Sequence, residues 1–186
     1  MRVVVAGIYR SGSTWMFNAV RLLLESEGYE VNGFFRGEGD WTEDWETDKA
    51  NVLKVHAFYP YLVKEAEYVI TTYRPYEDIV ESMKKQREIG VKPQFENAGA
   101  HEDIAEFLSW LAQWNVVSDY CMEFDDLIKR PLKVLRKLKI ALELKKANVN
   151  KVAEQLRELK PPKEGGDELT MLTNTHTAGY EQRKSS

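Results

Sequence analysis

Hydrophobic positions fall into two alternating patterns along the chain: short runs rich in β-branched residues, and longer stretches whose apolar positions recur three and four apart. Residues 2–8 form a Val-rich run ended by glycine, which reads as a buried strand. Trp15, Met16, Ala19, Val20, Leu23 and Leu24 then share one helical face, so a helix starts close to Ser13 and stops by Gly28. Further strands are expected over 29–35, 51–57, 68–73 and 119–124. Helices are expected around 61–66, from Pro75 to about Glu88, and over 102–117, 131–144 and 150–159, where Pro161 and Pro162 end the pattern. In the 102–117 helix Phe107, Leu108, Leu111 and Trp114 form the apolar stripe. Residues 34–47 and 89–99 are glycine-punctuated loops, and the tail from Lys163 is polar and irregular.

Strands alternating with helices predict an α/β fold: a three-layer sandwich whose central, mostly parallel sheet of about four to five strands is flanked by helices. No repeat or linker divides the chain, so residues 1–186 are expected to form one domain, with 160–186 as an irregular C-terminal segment. Ligands in such sheets bind at the carboxyl ends of the strands, so the search for chemistry falls on the segment after each strand.

Composition narrows the partners. Apolar residues make up 43% of the chain, enough for a core, yet no apolar run approaches the roughly 20 residues that span a bilayer. No secretory leader pattern is visible, and Cys121 is the single cysteine; a cytoplasmic setting is expected, with Cys121 a buried, inert thiol. Asp plus Glu number 30 against 26 Lys plus Arg, which argues against DNA or RNA as a partner. A small anion held by a local basic cluster remains open.

After the first strand, Gly7-Ile8-Tyr9-Arg10-Ser11-Gly12-Ser13-Thr14 enters a helix, where backbone N–H groups and the helix dipole favour an anion. Arg10 adds charge, and Ser11, Ser13 and Thr14 add hydroxyls. The spacing nearly matches the phosphate loop of nucleotide hydrolases, G-x-x-x-x-G-K-[ST], but Ser13 occupies the lysine position. That change removes the cation which bridges the terminal phosphates of ATP or GTP. The plain alternative is a tight strand-to-helix turn with an N-cap.

Tyr9-Arg10-Ser11-Gly12-Ser13-Thr14-Trp15 resembles the 5′-phosphosulfate loop of sulfotransferases, P-[KR]-S-G-[ST]-[ST]-W. These enzymes resemble nucleotide kinases in fold, giving a P-loop NTPase-like sandwich, and use 3′-phosphoadenosine 5′-phosphosulfate (PAPS) as sulfonate donor, leaving adenosine 3′,5′-bisphosphate and needing no metal. The resemblance implies that Arg10 contacts the 5′-phosphate and the sulfonate, that Ser11, Gly12, Ser13 and Thr14 cradle the phosphate, and that Trp15 packs on the adenine. Tyr9 replaces the usual proline, and Arg10 stands where many members have lysine, a planar fork in place of a point charge.

The fourth strand runs into Arg74, with Ser82 two turns into the following helix. The stretch is similar to the family's R-[DN]-P-x-D-x-x-x-S, which implies a 3′-phosphate site at Arg74 and Ser82, with Pro75 here following the arginine directly. Taken alone, Arg74 reads equally as a surface ion pair with Glu77 or Asp78. Lys54 and His56 end the third strand at alternate positions. A histidine there suits a general base for a hydroxyl or amine, and the pair resembles the family's K-T-H with Val55 for threonine. A buried histidine satisfied by a carbonyl is the structural alternative. Glu38 lies where carbohydrate sulfotransferases often carry a catalytic glutamate and is the second candidate base.

Residues 120–131 resemble the family's Y-E-D-L-x-x-x-P segment, read as structural. Trp41 and Trp45 suit stacking on a small-molecule or carbohydrate acceptor, or a place in the core. The family's C-terminal basic segment over the 3′-phosphate implies a role for Thr175, Thr177, Arg183 or Lys184. The rival readings are a nucleoside or nucleotide kinase and a nucleotide-binding module without catalysis.

Overall fold

The computed structural model of the chain describes residues 1–35, 45, 46, 48–88, 101–173 and 176, without the side chains of 85–88 and 101–104. Five strands, β1 (Arg2–Ala6), β2 (Val31–Phe35), β3 (Ala50–Val55), β4 (Tyr68–Tyr73) and β5 (Tyr120–Glu123), form one sheet in the order β2-β3-β1-β4-β5. Every neighbouring pair is parallel. The helices are α1 (Ser13–Glu27), α2 (Pro60–Glu65), α3 (Tyr76–Glu88), α4 (His101–Val117), α5 (Phe124–Lys129), α6 (Pro131–Ala141) and α7 (Val149–Glu158).

Period-two alternation divides the strands between two cores. Val3 and Val5 of β1, Ala50 and Val52 of β3, Ile70 and Met122 pack beneath α1, α6 and α7. Val4 and Ala6, Leu53 and Val55, and Val69 pack on the opposite face with Leu62 of α2 and Trp114 of α4. β1 is thus sealed on both sides, as its unbroken apolar run requires. Three layers result, and among the described residues no helix is long and apolar enough to cross a membrane.

Local signals set the helix ends. Gly28 closes α1 with φ 112°, its N–H donating to the Leu24 and Glu25 carbonyls. Pro60 and Pro131 open α2 and α6, and the Asn148 side chain accepts from the N–H groups of Asn150 and Lys151 to start α7.

Three expectations are corrected. In α4, Phe107, Leu111 and Trp114 are buried, but Leu108 is 42% exposed, because a residue one step from Phe107 is turned about 100° around the helix axis. The segment before Pro131 contains a separate helix, α5; six residues carry too little periodicity to announce it. Cys121 is exposed. β5 is an edge strand, and alternation that buries Met122 turns Cys121 outward.

Candidate anion-binding site

β1 lies at the centre of the sheet, and the chain order reverses on either side of it. The loop that follows β1 therefore opens between the ends of β3 and β4, where parallel sheets bind ligands. Two backbone positions in it are left-handed: Arg10 with φ 66° and Gly12 with φ 93°. Glycine tolerates that region; arginine there carries strain. Space is as tight as conformation. A β-carbon at Gly7 would overlap Thr72 Oγ1, and one at Gly12 would lie 2.8 Å from Leu127 and 2.9 Å from Phe124.

Ser11 is fully buried, its hydroxyl donating to the Ile8 carbonyl at 2.6 Å and lying 2.6 Å from Thr72 Oγ1. Its side chain therefore fixes the turn to β4. Gly12 caps α1 without any side-chain hydrogen bond, and no acidic residue occupies the first turn. Among the described residues the leading N–H groups of α1 thus have no side-chain acceptor, an arrangement that suits an external anion. Ser13 and Thr14 are buried at this end, and Trp15 is 9% exposed within the α1 core. Thr14 Oγ1 lies 3.3 Å from Nε2 of His176, and the Asn18 amide donates to the Thr170 carbonyl at 2.6 Å, so part of the C-terminal segment runs against the start of α1.

Two guanidinium groups converge on the loop. Arg10 Nε donates to Ser82 Oγ at 3.0 Å, and Arg74 donates to the Arg10 carbonyl at 3.2 Å. Arg74 also stacks 4.2 Å above the Phe124 ring, while its buried Nε has no hydrogen-bond partner among the described residues. Both arginines are held below their ordinary values. Burial is the main cause for each, joined at Arg10 by the charge of Arg74 and opposed at Arg74 by Asp78, Asp125 and Glu81. Among the described residues no carboxylate lies within 4 Å of Arg10, Lys54 or Arg74. The alternative for Arg74, an ion pair with Glu77 or Asp78, is not formed within 4 Å. Like charges gathered with no described carboxylate in direct contact favour an anion between them.

On the other side of the loop, Lys54 and His56 are 7% and 8% exposed. The Lys54 ammonium sits 4.9 Å from the Phe35 ring centre, and burial lowers it to about 8. His56 Nδ1 lies 2.5 Å from the Gly7 carbonyl oxygen. A carbonyl only accepts, so Nδ1 carries the hydrogen and Nε2 the lone pair. Burial, then the charge of Lys54, lowers His56 to about 3 against the opposing pull of the Gly7 carbonyl. The histidine is thus neutral across the physiological range, with its basic nitrogen defined.

The structure therefore brings Arg10, Ser11, Gly12, Ser13, Thr14, Lys54, His56, Arg74 and Ser82 to one end of the sheet. Trp45 is half-buried against the α2/α4 core, edge-on to Phe34 at 5.6 Å. Glu38, Trp41, Thr175, Thr177, Arg183, Lys184 and the 89–99 loop lie outside the described residues. Thr72 and Phe124 escaped the sequence reading. The only trace of Thr72 is a polar pair, Thr71-Thr72, in a strand otherwise apolar or aromatic, directly ahead of Arg74. Phe124 reads as the end of β5 and gives no sign of its contact with an arginine.

No protein-family model matches the chain, and no curated protein matches it. The chemistry rests on the site itself: cations and N–H donors on the β1 and β4 side, and a neutral imidazole beside an ammonium on the β3 side.

Proposed function

We propose that the chain is a PAPS-dependent sulfotransferase that moves a sulfonate group to a hydroxyl or amine acceptor by in-line displacement. The observation that carries this reading is the hydrogen bond from Arg10 to Ser82 across 72 residues of sequence, which joins the two phosphate-type motifs at one place. A nucleotide bearing groups at both its 5′ and 3′ positions needs both motifs together. The donor fits the residues present, since the buried Arg74 Nε and the start of α1 are donors with no side-chain acceptor among the described residues.

When bound, the donor supplies an electrophilic sulfur and a phosphate leaving group. Arg10 and the first turn of α1 hold its 5′ end, and Arg74 with Ser82 holds its 3′-phosphate. Lys54 offsets negative charge that grows on the transferring group. His56 Nε2 accepts the proton lost by the acceptor hydroxyl or amine, while Nδ1–H stays on the Gly7 carbonyl and keeps the ring in position. Ser13 in the lysine position weighs against the kinase reading.

Transfer of label from ³⁵S-PAPS across a panel of hydroxyl and amine acceptors tests the proposal. His56→Ala is expected to lower turnover by about 100-fold or more while leaving bisphosphate binding within about twofold of wild type. Full turnover in that variant would remove His56 as base and promote Glu38. A second reading, a nucleotide-binding module without catalysis, draws on the low basicity and burial of His56; it predicts bisphosphate binding with no transfer to any acceptor.

A further inference from the structure

The residue that departs most from the sulfotransferase loop, Tyr9, lies on the candidate base. Its ring centre is 3.9 Å from that of His56, with the planes tilted by 36°. At that separation the two rings are in contact and no water fits between them. Phe35 meets the imidazole edge-on at 5.5 Å, and Phe107 backs Tyr9 at 5.7 Å. With Nδ1 against the Gly7 carbonyl, the imidazole is enclosed by two aromatic rings and the backbone. The titratable groups around it are Lys54 on β3, Tyr9 itself and, acting on Tyr9, Tyr59.

We propose that Tyr9 is a positioning residue for His56: its ring shuts water away from the imidazole and holds it in the tautomer that presents Nε2 to an acceptor. The inference builds on the role given to His56 above, but its physical content concerns the ligand-free protein and is measurable without turnover. Burial is the largest cause of the low proton affinity of His56, and Tyr9 is the closest aromatic cover. The shield works through its ring and not its hydroxyl, so phenylalanine must replace it and a small side chain must not. An acceptor that lifts Tyr9 would expose a more basic imidazole, which couples base strength to occupancy of the site.

The test is a side-chain ¹H–¹⁵N NMR titration of the full chain, with the His56 resonances assigned by their loss in His56→Gln. Wild type and Tyr9→Phe are expected to show His56 neutral and protonated on Nδ1 from pH 5 to 8. Tyr9→Ala is expected to shift its midpoint upward by at least about one pH unit, towards the ordinary histidine value, and to weaken the tautomer preference. Should Tyr9→Ala not fold, Tyr9→Leu serves, since it keeps apolar bulk but leaves part of the ring face open. A wild-type His56 that titrates near 6.5, or an open variant whose titration matches wild type, overturns the proposal. The expected titrations together with no sulfonate transfer by the wild-type chain would overturn the enzyme reading alone; wild-type transfer with an unchanged titration in Tyr9→Ala would overturn only the role of Tyr9.

Discussion

Arg10 Nε donates to Ser82 Oγ at 3.0 Å, so a polar side-chain contact joins the loop after β1 to the helix after β4 beside the packing of Ile8 on Ile79. Removing either end of this contact should weaken binding of adenosine 3′,5′-bisphosphate. A hydrogen bond to a charged group contributes about 1.5–3 kcal/mol, so Ser82→Ala is expected to cost about 10- to 100-fold in affinity and Arg10→Ala about 100-fold or more. Arg10 has φ 66°, which glycine adopts without strain. Arg10→Gly should therefore be about 1 kcal/mol more stable than Arg10→Ala while binding just as poorly. Urea denaturation and calorimetry of the two variants check both halves; equal stabilities would mean that the loop relaxes when the arginine is lost.

Lys54 should weaken the fold that it serves. Burial lowers its ammonium to about 8 from 10.5, so the unfolded chain holds that proton more tightly than the folded chain. The resulting penalty is complete below pH 8 and disappears as pH rises towards 10.5. Lys54→Met, which keeps the volume and drops the charge, is expected to stabilise the protein at pH 7 by on the order of 1–3 kcal/mol and to abolish sulfonate transfer. The gain should shrink in urea titrations repeated above pH 10. A less stable Lys54→Met would show that the contact with Phe35 and the surrounding dipoles outweigh burial.

Acid should expose His56 in the opposite direction of titration. The folded chain resists protonating it until about pH 3, against 6.5 for the ordinary side chain, with burial the first cause and Lys54 the second. The unfolded state therefore binds more protons between those values. Stability from this group is fully present above 6.5 and falls as pH drops towards 3, by up to about 1.4 kcal/mol per pH unit. Urea midpoints at pH 7 and pH 4.5 should fall less in His56→Gln than in wild type. An equal fall would place the acid sensitivity in carboxylates.

Most of the architecture was legible because periodicity alone separates Val3–Val4–Val5 from the Trp15 to Leu24 face. The start of α1 at Ser13 and its stop at Gly28 follow from a small polar turn and a left-handed cap, both written locally. Cys121 and Leu108 were misread because exposure depends on which neighbour covers a face, and neither an edge strand nor a helix flank is marked in its own residues. The site divides in the same way. Arg10, Arg74 and His56 follow strands, and Lys54 lies at the carboxyl end of β3, so all four could be found by position. Ser11 turning inward to Thr72, Phe124 beneath Arg74 and Tyr9 over His56 are contacts between distant segments, and only the folded chain displays them.

The central claim, that this site takes a nucleotide phosphorylated at both its 3′ and 5′ ends, is tested most directly by isothermal titration calorimetry on the wild-type chain. Adenosine 3′,5′-bisphosphate is predicted to bind without any metal ion and at least about tenfold more tightly than ATP with Mg²⁺, a difference of about 1.4 kcal/mol. Tighter binding of ATP with Mg²⁺ would contradict the assignment and move the chain to the kinase class.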